Sequence, residues 1–226
     1  MSRLHLAAFV PMRHTSERVA GKNYRLLGGR PLFHHIVSTL LSVPQIDEIA
    51  IDTDSPLIAD DAQRAFPQVR IIERPEHLRG PHVAMNDILL HDVDVVDAEL
   101  YLQTHSTNPL LTSETITAAL EAFESARDRF DSLFTVTPLQ TRLWSPAGEA
   151  INHDPAVLLR TQDLPPVMEE NSCLYLFDAA TLRTRGNRIG AHPLLYPLTP
   201  REAWDIDDED DWTIAEALYA AREAAQ

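Results

Sequence analysis

Residues 9–25 read Phe9-Val-Pro-Met-Arg-His-Thr-Ser-Glu-Arg-Val-Ala-Gly-Lys-Asn-Tyr-Arg25, and they continue an apolar run that begins at Leu4. The run predicts a buried strand that ends at Pro11, because proline has no N–H to donate to a neighbouring strand. Residues 13–30 then hold five basic side chains and one acid. Since a basic loop after the first strand of an α/β unit commonly holds polyphosphate, the stretch predicts an α/β fold with an anion site at its first loop.

Lys22 is the only lysine in the chain, whereas the other basic side chains apart from histidine are all arginines. A sequence that uses arginine everywhere else indicates that this position requires a compact ammonium rather than a planar guanidinium. Phosphate-binding loops use lysine in this way. The alternative is a surface charge beside a turn.

Short apolar runs alternate with helical patterns along the chain. Strands are predicted at 49–51, 69–72, 100–103, 133–136, 174–177 and 194–196, and helices begin near Pro31, Ser55, Val83, Thr112 and Asp211. This alternation predicts a mostly parallel sheet with helices on both faces, in a single domain over residues 1–226.

Residues 139–170 interrupt the alternation. Five prolines between residues 138 and 166 break any regular element, and Trp144 and Leu158-Leu159 supply apolar side chains. Because long irregular insertions in a compact domain are usually functional or part of an interface, we interpret 139–170 as an inserted arm.

The composition limits the possible partners. The net charge is −15, and nucleic acids and anionic membranes both require a basic face, so neither is expected. No apolar run reaches the length of a membrane span, and Met1-Ser-Arg-Leu-His carries no separate signal-peptide core. The lone Cys173 lies in an apolar run and reads as a buried strand thiol. A single cysteine cannot form an internal disulfide, which favours a reducing cytoplasm.

An acidic run, Trp204-Asp-Ile-Asp-Asp-Glu-Asp-Asp-Trp212, precedes the last helix. If Asp205 and Asp207 lie in an extended segment, they share one face while Ile206 enters the core. Two carboxylates on one face beside a polyphosphate suit Mg²⁺. Asp210 and Asp211 fit the helix N-terminus. The alternative is a solvated acidic turn.

Arg13 followed by Ser16-Glu-Arg-Val-Ala-Gly-Lys-Asn23 resembles the first motif of the sugar-nucleotide cytidylyltransferases that make CMP-sialic acids and CMP-Kdo. The resemblance implies a Rossmann-like nucleotidyltransferase fold with CTP bound at this loop. It places the nucleotide against a set of six residues: Pro11, Met12, Arg13, Ser16, Lys22 and Asn23. Two departures are His14-Thr15, where sialic acid members often have Gly-Gly, and Ala20, where they have proline.

Matches continue along the chain. Asp52-Thr-Asp-Ser55 resembles the family's Ser-Thr-Asp-Ser, and Arg74-Pro75-x-x-Leu78 resembles a segment whose arginine helps to hold cytosine. Gln103 matches the family's Leu-Gln motif, and the resemblance assigns it, like Arg74, to nucleotide binding. A serine of the sialic acid members is Met85 here. The resemblance also assigns the metal to Asp205 and Asp207, with Arg13, Lys22 and these two aspartates as the catalytic set.

Two further motifs face the acceptor in the family. Arg160-Thr-Gln162-Asp-Leu-Pro and Glu170-Asn171-Ser-Cys-Leu-Tyr175 resemble them, with Ser172 in place of a glycine. The next segment is cationic rather than aromatic, since it carries Arg183, Arg185 and Arg188. Its Asn187-Arg-Ile-Gly190 stands where sialic acid members often have a Phe-Phe pair that lines the N-acyl pocket. The resemblance therefore implies a smaller or more anionic acceptor than N-acetylneuraminate, bound by Arg160, Gln162, Asn171, Tyr175 and Arg188.

The resemblance implies a Mg²⁺-dependent cytidylyltransferase that transfers CMP from CTP to a sialic- or Kdo-type sugar acid and releases pyrophosphate. The arm at 139–170 would serve homodimerisation and the acceptor site. Three alternatives remain open: a small phosphonate as acceptor, another nucleoside triphosphate as donor, and a non-catalytic nucleotide-binding protein.

Overall fold

A computed structural model describes residues 4–225. Residues 1–3 and residue 226, which are the two ends of the predicted domain, lie outside that range. Residues 1–3 also begin the N-terminal stretch in which the sequence shows no signal-peptide core. The strands are β1 (Leu6–Phe9), β2 (Leu26–Leu27), β3 (Arg30–Pro31), β4 (Glu48–Thr53), β5 (Arg70–Glu73), β6 (Leu100–Thr104), β7 (Ser132–Leu139), β8 (Val167–Phe177) and β9 (Pro193–Pro197). The helices are α1 (Leu32–Leu41), α2 (Pro56–Ala65), α3 (Met85–Val95), α4 (Ser113–Glu124), α5 (Ala179–Arg185) and α6 (Glu209–Glu223).

Seven strands form one sheet in the order β5-β4-β1-β6-β8-β7-β9. Only β8 runs against its neighbours, because β1 is parallel to β4 and β6, β4 to β5, and β7 to β9. The predicted mostly parallel sheet is confirmed. β2 and β3 form a separate two-stranded ribbon that the sequence pattern did not reveal.

Helices cover both faces of the sheet, as predicted. Leu6, Ala8 and Val10 face a core built with α1, α2 and α4, while Ala7 and Phe9 face a second core built with α3 and α5. β1 is thus buried on both faces, which explains its continuous apolar sequence. A third cluster packs α6 against the basic loop through Val19, Ile206 and Trp212, among others.

Two predicted caps are present. The Ser55 side chain accepts from the Ile58 N–H at the start of α2, and the Thr112 side chain accepts from the Thr115 N–H at the start of α4. Each satisfies one backbone donor that a helix N-terminus leaves free. Pro31, predicted at the first helical position, is instead the residue before α1.

The irregular arm is shorter than predicted. β7 ends at Leu139 and β8 begins at Val167, so the irregular stretch covers 140–166 and residues 167–170 belong to a strand. Val167, Met168 and Glu169 pair with the end of β7 outside the core, so their side chains lack the apolar pattern of a buried strand. No helix of residues 4–225 is long and apolar enough to cross a membrane.

The strand order fixes where a ligand can bind. From β1 the chain moves outward through β4 and β5, then returns to β6 on the other side of β1. Loops that leave β1 and β6 therefore diverge at the carboxyl ends of these strands. This topological switch point is the usual ligand site of an open α/β sheet.

Candidate active site

A cavity of about 500 Å³ opens at this switch point. Loops after β1 and β6, Arg74 after β5 and the segment before α3 form its walls. Seven of the eight predicted nucleotide-binding residues line it: Pro11, Met12, Arg13, Ser16, Lys22, Asn23 and Arg74. Gln103, the remaining one, is fully buried on β6 and is not part of the lining.

The basic loop is anchored to the strand ends around it. The His14 N–H donates to Asp54 Oδ1 at 2.7 Å, and His14 Nδ1 lies 2.7 Å from Ser55 Oγ. Asn23 Nδ2 donates to the Arg13 carbonyl oxygen at 2.9 Å, while Asn23 Oδ1 accepts from Ser106 Oγ at 2.6 Å. The backbone N–H of His14 is therefore used within the protein and is not available to a phosphate.

Lys22 lies between the basic loop and the acidic run. Only 8% of the residue is exposed. Its Nζ donates to the Ile206 carbonyl oxygen at 2.5 Å and lies 3.9 Å from Asp207 Oδ1. Burial lowers the Lys22 pKa, and the charges of Asp207 and Asp205 oppose that shift. An ammonium with one backbone partner keeps two donors for an anion, which suits the predicted phosphate site.

Arg13 supplies a second cation. Its side chain is exposed, lines the cavity and makes no hydrogen bond or ion pair to the chain within residues 4–225. Arg18, also at the cavity, pairs instead with Asp207 Oδ1 at 2.5 Å. The cavity thus combines a free guanidinium with a buried ammonium, and both favour a ligand with several negative charges.

Ile206 is fully buried between two partly accessible aspartates, as the alternation predicts. Its N–H donates to the Thr107 carbonyl oxygen at 3.0 Å, which ties the acidic run to the loop after β6. Asp207 reaches Lys22 and Arg18. Asp205 opens on an adjacent cleft of about 380 Å³ between the acidic run and the ends of β7 and β8.

Asp208 and Asp211 serve the helix rather than the cavity. Asp208 is the N-cap of α6 and accepts from the N–H groups of Asp210 and Asp211, while the Asp211 carboxylate accepts from the Asp208 N–H. This is a reciprocal capping box, with negative charge at the positive end of the helix. The predicted place of Asp210 and Asp211 at the start of α6 is confirmed.

The carboxylates of Asp205 and Asp207 have the chemistry that a hard cation requires, although neither lines the 500 Å³ cavity itself. The Asp205 Oδ1 atom is buried and has no hydrogen-bond partner among the described residues. Burial raises the pKa of this carboxyl and Asp207 adds to the shift, whereas a hydrogen bond to Thr107 opposes it. A cation would satisfy the unpartnered oxygen and lower that pKa. Residues 4–225 hold no group of three or more His, Cys, Asp or Glu suited to a metal, so ligand oxygens and water would complete the site.

A second polar cluster lies beside the cavity, at the centre of the sheet. Arg188 Nη1 donates to Gln103 Oε1 at 2.7 Å, and the guanidinium carbon lies 3.6 Å from the centre of the Tyr175 ring. Gln103 Nε2 lies 3.0 Å from Nε2 of His105, which lines the cavity. Burial and then the Arg188 charge lower the His105 pKa to about 3, so this imidazole is neutral at pH 7.

This cluster contains two of the predicted acceptor residues, Tyr175 and Arg188, together with Gln103. Tyr175 is buried, and its hydroxyl donates to the Glu170 carboxylate. Within the described part of the chain, Arg188 forms no ion pair with a carboxylate. Its cation is held by a ring and a neutral amide, so it keeps its charge available to an acidic ligand.

Asn171 and Ser172 form an irregular step in β8. Asn171 Oδ1 accepts from Thr135 Oγ1 at 2.6 Å and its amide nitrogen donates to Thr137 Oγ1 at 3.1 Å, so neighbouring β7 satisfies this side chain. Ser172 has a φ of 58°, the only positive value for a non-glycine residue in the described range. The family's glycine at this position suits that left-handed conformation.

The remaining predicted acceptor residues lie away from the cavity. Arg160 and Gln162 are exposed on the irregular arm, and Arg160 pairs with Asp163 through contacts of 2.6 and 3.0 Å. Arg183, counted with Arg188 in the cationic segment, pairs with Asp94 at 2.6 Å. Among the described residues, therefore, Arg188 is the one arginine of that segment that reaches the polar cluster, and the acceptor roles of Arg160 and Gln162 stay predictions.

Sequence reasoning missed two parts of the site. The wall before α3 includes Gly80, Pro81, His82 and Val83, a loop whose sequence carries no charge pattern or recognised motif. The family motif assigns Arg74 to the base, but its buried partner Asp52 enters the sequence analysis only through the match to the family's Ser-Thr-Asp-Ser motif. A buried pair of this kind is formed by tertiary contacts, which the local sequence does not show.

Comparison with known proteins decides the family. A family model described as cytidylyltransferase matches residues 7–209, which is most of the chain. The chain belongs to the cytidylyltransferase family. The match begins in β1 and ends at the start of α6, so it includes both the basic loop and the acidic run.

Individual relatives agree with this family. The chain is 28% identical to N-acylneuraminate cytidylyltransferase of Oncorhynchus mykiss over 94% of its own length and 50% of that protein. It is also 28% identical to CMP-N,N'-diacetyllegionaminic acid synthase of Legionella pneumophila, covering 98% of this chain and 99% of the relative. The chain thus spans about half of the fish enzyme and nearly all of the bacterial one.

A solved structure shares the fold. A CMP:2-keto-3-deoxy-manno-octonic acid synthetase, in complex with CTP, superposes with a TM-score of 0.73 at 15% identity, covering 96% of this chain and 99% of the synthetase. The Rossmann-like nucleotidyltransferase fold expected from the motifs is confirmed.

Proposed function

We propose that this cytidylyltransferase transfers CMP from CTP to a 3-deoxy-2-keto sugar acid of the sialic or Kdo type and releases pyrophosphate. The observation that carries the proposal is the cavity at the switch point, where Arg13, Lys22 and Asn23 meet beside the acidic run. Its supports are the family match and the names of the relatives, which are CMP-sugar-acid synthases.

In the proposed reaction the 2-hydroxyl oxygen of the acceptor attacks the α-phosphorus of CTP in line. The bond between the α-phosphorus and its bridging oxygen breaks, pyrophosphate leaves with that electron pair, and the hydroxyl proton passes to water. Arg13 and Lys22 hold the phosphates and offset the charge that moves onto the leaving group. No enzyme nucleophile takes part.

Asp205 and Asp207 would hold Mg²⁺, which supplies electrostatic stabilisation of phosphate charge when bound. Among the chain's own contacts, Asp207 already bridges Lys22 and Arg18, so it orients both cations. We propose that Arg74 faces the cytosine end and that Ser16 and Asn23 shape the phosphate end.

We propose that Arg188 and Tyr175 bind the acceptor. An arginine that has no carboxylate partner among the described residues and lies over a tyrosine ring beside the cavity favours an acidic acceptor. A cation in place of an aromatic pair is poorly suited to an N-acyl group. A small phosphonate would also satisfy this cation, so it remains the second candidate acceptor.

Pyrophosphate release tests the function. The purified protein is incubated with Mg²⁺ and each of the four nucleoside triphosphates, across a panel of sialic acids, legionaminic acids, Kdo and small phosphonates. We expect turnover with CTP and a sugar acid. Turnover with a phosphonate alone would replace the acceptor, preference for GTP would replace the donor, and no turnover with any pair would support a non-catalytic protein.

We propose that the arm at 140–166 joins two copies of this chain. Trp144 is 51% exposed and Leu158 is 91% exposed in the single chain, with Ile151 and Val157 also open to solvent. An apolar cluster of this kind favours a protein partner. A second copy would cover it and would also bring a second Arg160 near a site.

The single buried thiol is consistent with the proposed cytoplasmic location.

Light scattering at micromolar concentration should therefore give a mass near twice 25.4 kDa. Leu158→Asp should shift the protein to a monomer, because a charge would replace the most exposed apolar side chain of the arm. Leu57→Asp is the matched control, since Leu57 is exposed on α2, outside the arm. A monomeric wild type, or a Leu158→Asp variant that stays dimeric, would argue against this interface.

A further inference from the structure

Three buried ionisable groups meet behind the cavity wall. Arg74, after β5, is 1% exposed, and its Nε donates to Asp52 Oδ1 on β4. Arg74 Nη2 donates to the Asp52 carbonyl oxygen at 3.3 Å. Asp92 of α3 is fully buried and lies against Asp52. Arg74 is the only member of this trio that lines the cavity.

A proton on Asp92 would give Asp52 Oδ2 a hydrogen-bond donor. Asp52 Oδ2 and both Asp92 oxygens are buried without a nitrogen or hydroxyl donor in residues 4–225. Two carboxyl groups in such contact are stable when they share one proton. Arg74 favours the charged form at Asp52, so the proton belongs to Asp92. Burial and then the Asp52 charge raise the pKa of Asp92 to about 9.

We propose that Asp92 is a positioning residue for the nucleotide base: it holds the Asp52 carboxylate against Arg74 and thereby fixes the guanidinium at the cavity wall. Arg74 makes no other carboxylate contact in the described chain, and its Nη1 has no hydrogen-bond partner there. Without Asp92, the Asp52 carboxylate would lose its second hydrogen bond and would be free to rotate. The inference rests on the proposed function, since it requires CTP in this cavity.

The test measures binding rather than turnover. CTP and UTP affinities are determined by calorimetry for the wild type, Asp92→Leu, Asp92→Asn, Arg74→Ala and the Arg74→Ala/Asp92→Leu double variant, with circular dichroism as a check of folding. Asp92→Leu removes the donor to Asp52 with little change in volume. We expect it to weaken CTP binding about tenfold, the factor of one lost hydrogen bond to a charged group, and to reduce the preference for CTP over UTP.

Asp92→Asn retains an N–H donor to Asp52 and should rescue most of the affinity. In the Arg74→Ala background, Asp92→Leu should have no further effect, because Asp92 acts through Arg74. As pH rises from 7 towards 9, wild-type affinity should fall relative to Asp92→Asn, since only the wild type loses the shared proton. The charged and titratable groups that act on Asp92 are Asp52 and Arg74. Those that act on Asp52 are Arg74, Asp92 and His91.

Equal losses in the wild-type and Arg74→Ala backgrounds would overturn the inference, as would a folded Asp92→Leu variant with unchanged CTP affinity. If Asp92→Leu does not fold, identical pH dependence in the wild type and Asp92→Asn overturns it, as does a wild type that binds no CTP. A wild type that binds CTP but forms no CMP-acid would contradict the proposed function alone, and the mutant cycle would still decide the role of Asp92.

Discussion

Lys22→Met is expected to lower kcat/KM by about a hundredfold or more while leaving the fold intact. Methionine keeps the aliphatic stem in its slot but removes the ammonium that donates to the Ile206 carbonyl oxygen. The lost group is a preorganised, largely buried cation at the proposed triphosphate site, and removing one such donor typically costs 10²–10³ in rate, roughly. Steady-state kinetics on CTP, with circular dichroism for the fold, measures the effect.

Lys22→Arg is the matched variant, because it conserves charge and changes shape. Nζ lies 2.5 Å from the Ile206 carbonyl oxygen and 3.9 Å from Asp207 Oδ1, and a planar guanidinium is larger and spreads its charge over three nitrogens. We therefore expect Lys22→Arg to restore little activity. Near-wild-type turnover in a folded Lys22→Met protein would remove the phosphate role, and full rescue by arginine would remove the argument from the chain's single lysine.

Asp205→Asn and Asp207→Asn are each expected to reduce turnover by about a hundredfold and to raise the Mg²⁺ concentration needed for half-maximal activity. Each change removes one negative charge from the proposed metal site and keeps the side-chain volume. Stability should change little, because Asp207 is about half exposed and its ion pairs to Arg18 and Lys22 have little net worth in water. Activity is titrated with Mg²⁺ for each variant.

Asp208→Ala provides the contrast within the same acidic run. Asp208 caps α6, so its loss should destabilise the protein by about 1 kcal/mol and leave the Mg²⁺ titration unchanged. Asp208→Asn should affect neither, since asparagine also caps helices. If Asp208→Asn lowers turnover as much as the other two asparagine variants, the metal site does not depend on the alternation around Ile206.

The fold was predictable because its strongest signals are local. β1 is apolar on both faces, Ser55 and Thr112 are capping residues before amphipathic helices, and Ile206 alternates with acids. Each feature concerns residues close in sequence, where periodicity and capping chemistry apply. The basic loop was recognisable for the same reason, since its cations and its single glycine lie within one short segment.

Features formed across the sheet were not predictable. Asp92 sits on a helix and looks like a solvent-facing acid in sequence, yet the fold buries it against Asp52. Gln103 and Arg188 meet only because β6 lies beside β8 and the segment after α5 crosses their ends. The sequence pattern predicts irregular structure where the ends of β7 and β8 pair, because strands that extend beyond the core need no apolar alternation.

The most direct measurement follows an oxygen atom through the reaction. An acceptor sugar acid labelled with ¹⁸O at its 2-hydroxyl is incubated with CTP, Mg²⁺ and the protein, and the products are analysed by mass spectrometry. Attack of the acceptor on the α-phosphorus predicts a CMP-sugar acid with the label in the bond between sugar and phosphorus, and unlabelled pyrophosphate. CTP consumption without a CMP-sugar acid, or label recovered in pyrophosphate, would contradict the proposed transfer.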